Sequence, residues 1–96
     1  MRRVLAAAIG CASIAAAAVA SAEPPAGAAA CSGCHPASAR VTSPVLRLAG
    51  LDQGRIVRAM EEFRSGKRPA TVMDRISKGF TDNEIQAIAA WYASQR

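Results

Sequence analysis

Aromatic residues make up only 4% of this 96-residue chain: one Trp, one Tyr and two Phe. So few large rings cannot fill a sizeable core, and the length allows one small domain and excludes a multidomain enzyme. Histidine is scarcer still. His35 stands alone, which leaves no imidazole to spare for a Ser/His/Asp set. No phosphate-binding glycine loop and no internal repeat is present. No segment sustains period-2 alternation, so no sheet is predicted. The charge balance is 12 Lys+Arg against 7 Asp+Glu, a formal +5. Without Arg2 and Arg3 the remainder carries about +3, too modest an excess for a nucleic-acid-binding domain.

What is abundant is apolar, and it lies at one end. Seventeen of the first 22 residues are apolar. Arg2 and Arg3 open this segment, Val4 to Ala20 form its apolar stretch, and Ala20-Ser21-Ala22 is a small-x-small cleavage site. Residues 1–22 are therefore expected to be a secretory signal peptide rather than a membrane anchor, since the alanine-rich run barely spans a bilayer and no basic stop-transfer cluster follows. Cys11 falls inside this segment. Residues 23–96 are expected to form the exported domain, with periplasmic location and no stable membrane association. Of its apolar residues 13 are alanine, and 19 larger ones remain to build a core. A domain this thin needs a covalent or metal staple.

Within 23–96, Ala28 to Ala30 run into Cys31 as a short predicted helix, and Pro36 to Gly50 reads as an irregular loop. Asp52 is a predicted N-cap for a helix ending at Gly66, with Ile56, Val57, Met60 and Phe63 on one face. Lys67 to Thr71 is a loop, and Val72 to Lys78 a short helix stopped by Gly79. Thr81 with Glu84 makes a capping box for a last helix carrying Ile85, Ile88, Ala89 and Tyr92. The expected fold is all-α, with three or four helices.

Cys31-Ser32-Gly33-Cys34-His35 is C-x-x-C-H, the attachment motif for a c-type haem. On a helical turn, positions i and i+3 share a face, so both thiols reach the two vinyl groups of one porphyrin. The adjacent imidazole then meets the iron from the same side. A Cys31–Cys34 disulfide would close a tiny loop and leave His35 without a role. A thioredoxin-like pair needs a βαβ context, and zinc needs a second Cys/His pair, neither of which is present.

Electron-transfer haems commonly carry His plus Met as axial ligands. Met60 lies in the apolar stripe, where a core role is the default. Met73 follows the Pro69 loop, from which a side chain can be aimed across a plate-like cofactor, so Met73 is favoured with His35 as the iron ligands. Lys67, Arg68, Arg75 and Lys78 surround Met73 in sequence and form either a docking rim or a solvated face.

The order of C-x-x-C-H, proline loop, amphipathic helix, Met loop and aromatic C-terminal helix resembles a class I cytochrome c. Met60-Glu61-Glu62-Phe63-Arg64-Ser65-Gly66 and Thr71-Val72-Met73-Asp74-Arg75-Ile76-Ser77-Lys78-Gly79-Phe80 are more closely similar to the cytochrome subunit of flavocytochrome c sulfide dehydrogenase. The resemblance implies a small cytochrome c fold around one covalent haem c. It assigns Pro44 as the residue whose carbonyl accepts a hydrogen bond from His35, and Trp91 and Tyr92 to the crossing of the last helix over the haem-bearing one. Pro36 stands where that family usually has Gly after the histidine, and the stretch from Pro36 to Ser43 is short.

These features imply a periplasmic mono-haem cytochrome carrying single electrons. It is not an enzyme by itself, and its partner is a redox protein, by resemblance a flavoprotein sulfide dehydrogenase. The alternatives are a free-standing small cytochrome c serving another dehydrogenase or oxidase, or a haem sensor or peroxidase with an open axial site.

Overall fold

The computed structural model describes residues 23–38 and 40–95. The segment read as a signal peptide, residues 1–22 with Cys11, lies outside the described residues. Among the described residues four α-helices follow one another: α1 (Ala28–Cys31), α2 (Gln53–Ser65), α3 (Met73–Ile76) and α4 (Asp82–Ser94), with a 3-10 turn over Ser77–Gly79 between the last two. Among the described residues there is no strand, as predicted.

Each helix starts or stops for a local reason. The three alanines of α1 are the strongest helix formers available, and Gly27 before them adopts a left-handed φ of 86° that turns the chain into the helix. Asp52 caps α2 by accepting a hydrogen bond from the Arg55 amide at 3.0 Å. Gly66 ends it at φ 79°, its amide donating to the Phe63 carbonyl at 3.3 Å. The capping box of α4 is complete: the Glu84 amide donates to Thr81 Oγ1 at 3.2 Å, and the Thr81 amide donates to Glu84 Oε2 at 3.0 Å. The predicted Val72–Lys78 helix appears as α3 with its 3-10 extension, ending at Gly79 as expected.

The core joins α1, α2 and α4. Ala28, Ile56, Ile88, Ala89 and Tyr92 form one buried cluster, with Cys31, Leu48, Leu51, Val57, Phe80 and Trp91 packed against it. The predicted stripe of α4 is buried at Ile85, Ile88, Ala89 and Tyr92. On α2 only Ile56 is fully buried, while Val57, Met60 and Phe63 are half-buried. Tyr92 ties α4 to α1, its hydroxyl donating to the Ala28 carbonyl at 2.6 Å. Gly27 lets Phe80 approach α1: a Cβ there would stand 2.6 Å from Phe80 Cε1. Among the described residues, no helix is long and apolar enough to cross a membrane.

Candidate functional site

Helical winding does not stop at the end of α1. The Cys31 carbonyl accepts from the Cys34 amide at 3.2 Å and from the His35 amide at 2.9 Å, so the whole C-x-x-C-H motif is coiled as one hydrogen-bonded turn. Both thiols are free, Cys31 half-buried and Cys34 exposed. Burial pushes the Cys31 thiol above its ordinary value, offset in part by a backbone hydrogen bond. Its Sγ lies 3.8 Å from the Gly27 carbonyl, to which it donates.

His35 is oriented by the chain. Its Nδ1 lies 2.5 Å from the Leu46 carbonyl oxygen. A carbonyl can only accept, so Nδ1 carries the proton, and in the neutral ring Nε2 keeps its lone pair for a metal. The acceptor expected by resemblance was Pro44; it is Leu46, two residues further on. Pro44 instead lines a cleft of about 400 Å³ with Pro36, Val41, Val45 and Leu46. The physical reason is plain. The contact uses a backbone carbonyl, which every residue type carries, so the path of the loop alone decides which one meets the ring.

Met73, the first residue of α3, is half-buried and lines a second cleft of about 470 Å³ with Phe63, Pro69, Ala70 and Thr71. Met60 remains on α2. Phe80, at the end of the Met73 segment, lies against Gly27 just before α1.

Large apolar side chains lie open around both clefts. Val41 is 56% exposed, Leu46 55% and Val45 37%, while Val72 and Ile76, on either side of Met73, are 48% and 39% exposed. A side chain of this kind gains about 1.5–3 kcal/mol on full burial. The arrangement fits a flat apolar group: two free thiols on one helical turn, an imidazole nitrogen and a thioether as soft donors, and unburied aliphatics beside them. Among the described residues no cluster of three or more His, Cys, Asp or Glu forms a metal site of another kind.

Several known electron-transfer proteins are similar to this chain. The chain is 34% identical over 64 residues to the cytochrome subunit of sulfide dehydrogenase from Chlorobaculum tepidum, covering 67% of this chain and 58% of that one. It is 38% identical over 63 residues to a thiosulfate dehydrogenase electron acceptor from Stutzerimonas stutzeri, covering 64% of this chain and 29% of the relative. The chain is a homologue of the c-type cytochromes. A cytochrome c-552 from Acidithiobacillus ferridurans is 34% identical over 65 residues, covering 68% of this chain and 28% of the relative. The chain thus spans less than two thirds of each of these cytochromes. No known family pattern matches it. Its small all-α architecture is consistent with a small cytochrome c fold.

The site residues named by sequence divide clearly in the fold. Cys31, Cys34 and His35 share one turn, and Met73 stands on a separate segment. Leu46 went unnoticed because a leucine gives no sign that its carbonyl faces a ring. Arg64 also went unnoticed, and its reach across to α4 is visible only in three dimensions.

Proposed function

We propose that the chain is a periplasmic mono-haem cytochrome c that passes single electrons to or from a sulfur-compound dehydrogenase. The observation that carries this reading is the oriented His35: an Nδ1–H held by the Leu46 carbonyl, at the end of a helical turn bearing two free thiols. Cys31 and Cys34 would hold the porphyrin by thioether bonds, and His35 and Met73 would be the iron ligands. Haem iron supplies reversible one-electron chemistry between Fe(III) and Fe(II). The chain's own part is to hold and insulate. The Leu46 contact fixes the imidazole plane and raises its basicity. The Met73 thioether, a soft donor that suits both oxidation states, would raise the potential, and the open aliphatics around both clefts would exclude water from a bound porphyrin.

The reading makes the chain an electron carrier without catalytic residues. The names of the relatives support a sulfide- or thiosulfate-oxidising partner, and the resemblance to flavocytochrome c makes a flavoprotein the first one to test. Residues 1–22 would be removed on export.

The decisive experiment matures the full chain in a host that exports and assembles c-type cytochromes. The expected product is red, keeps its colour through acid-acetone extraction, and has the mass of residues 23–96 plus one haem. A bare peptide mass refutes the reading. Reduced wild type is expected to bind carbon monoxide slowly and incompletely, and Met73→Ala rapidly and fully. Rapid full binding by the wild type would instead point to an open axial site. Reduction by sulfide in the presence of a purified flavoprotein dehydrogenase, absent without it, would support the partner.

A further inference from the structure

The Met73 segment leaves α2 at Gly66 and returns at Thr81, and both of its ends are fastened to the last turns of α2. At the leaving end, the Arg68 amide donates to the Glu62 carbonyl at 3.2 Å, and the Arg68 guanidinium pairs with Glu62 Oε2 at 2.6 and 2.8 Å. At the returning end, Arg64 Nη1 lies 2.5 Å from Asp82 Oδ1, and Nη2 donates to the Phe80 carbonyl at 3.0 Å. The first of these two contacts is an ion pair to an exposed carboxylate and contributes little on its own. The second is part-buried and falls on the backbone of Phe80. The ring of that residue sits on Gly27, at the start of the helix that carries Cys31.

We propose that Arg64 is the positioning residue for Met73. By holding the Phe80 carbonyl and the first residue of α4, it keeps the thioether-bearing segment closed against the half of the molecule that carries His35. This rests on the assignment of Met73 as iron ligand. The guanidinium contacts of Arg64 fall on Asp82 and the Phe80 carbonyl, so its action on Met73 runs through the backbone of the segment. Its Nε is buried without a partner among the described residues. Replacing the guanidinium with an apolar chain therefore also removes a buried orphan donor, which limits the loss of global stability.

Competition by imidazole on the ferric, haem-loaded protein tests the role. Imidazole displaces the thioether, and the near-infrared sulfur-to-iron charge-transfer band disappears as it binds. Arg64→Met is expected to bind imidazole about tenfold more tightly than wild type, the scale of one lost charged hydrogen bond. Asp82→Asn, which keeps the Phe80 contact, is expected to shift less. Tyr92→Phe removes a hydrogen bond between α1 and α4, and is expected to lower the denaturation midpoint with imidazole affinity unchanged. Wild-type imidazole affinity in Arg64→Met overturns the proposal, and so does a shift in Tyr92→Phe equal to that in Arg64→Met. A wild-type ferric protein without the charge-transfer band refutes Met73 itself as ligand. A band present with no effect of Arg64→Met refutes the Arg64 role alone.

Discussion

The stretch from His35 to Gly50 and the stretch from Asp52 to Ser94 hold their shapes by opposite means. The second is locally specified: a capped start and a left-handed glycine stop on α2, a complete capping box on α4, and apolar residues at helical spacing on both. The first has no helix among its described residues. Its internal ties include two serine hydroxyls accepting backbone amides, Ser38 from Arg40 at 3.2 Å and Ser43 from Val45 at 3.1 Å, besides the reach of His35 to Leu46. It also leaves Val41, Val45 and Leu46 exposed. Both stretches border a cleft with open aliphatics, Val41, Val45 and Leu46 in the first and Val72 and Ile76 in the second, but the capped helices all lie in the second.

The largest expected effect breaks this division outright. Among the described residues the fully buried apolar set is Ala28, Ala49, Ile56, Ile85, Ile88, Ala89 and Tyr92, three of the seven being alanine. Such a core supplies little net stability once chain entropy is subtracted. In material expressed with maturation, Cys31→Ala/Cys34→Ala is expected to lose its cooperative helical signal in far-UV circular dichroism. A folded double variant would show that α2 and α4 suffice without the haem.

A smaller effect tests the seam between the Met73 segment and the entry to α1. Gly27 and Gly66 share nearly the same left-handed conformation, φ 86° and 79°. A Cβ on Gly66 meets nothing within 4 Å, whereas one on Gly27 would strike Phe80 Cε1 at 2.6 Å. Gly66→Ala should therefore cost about 1–2 kcal/mol from backbone strain alone. Gly27→Ala adds an overpacking penalty of about 1–3 kcal/mol. Denaturant titration of the two haem-loaded variants measures the difference. Equal losses would mean that Phe80 moves aside freely and that α1 is not locked to the Met73 segment.

Legibility in the sequence follows the same boundary. The caps at Asp52 and Thr81, the stop at Gly66, and the stripe Ile85, Ile88, Ala89 and Tyr92 are all written in short-range patterns, and the structure has them where the spacing places them. The C-x-x-C-H turn was legible for the same reason, since five adjacent residues carry it. The His35 ring meets the Leu46 carbonyl rather than that of Pro44, because a loop held by few local bonds presents whichever carbonyl its path dictates. Ser77, fully buried with its hydroxyl donating to the Asp74 carbonyl at 3.3 Å, reads in sequence as an ordinary polar surface residue. The Arg64 link to Asp82 spans 18 residues, and nothing in the periodicity of α2 distinguishes Arg64 from Arg58.

The smallest effect concerns the contact that closes α4 onto α1. Tyr92 is buried, and burial raises its phenol above the ordinary value, with repulsion from the Cys31 thiolate adding to the rise. A phenol raised in the folded state releases its proton more readily when unfolded. Its contribution to stability is thus complete below the ordinary phenol pKa of about 10, and is lost as pH climbs from there through the folded value. Tyr92→Phe should cost about 1 kcal/mol at pH about 8 through the missing bond to the Ala28 carbonyl, and should then lose less than wild type on transfer to pH about 11. In the haem-loaded protein the Cys31 sulfur would be a thioether and could not ionise, so only burial would remain to raise the phenol. Urea titrations of both proteins at the two pH values check the sign. Parallel declines in wild type and Tyr92→Phe would show that the phenol does not govern the alkaline side, and that the α1–α4 seam is held by Ala28, Ile88 and Ala89 alone.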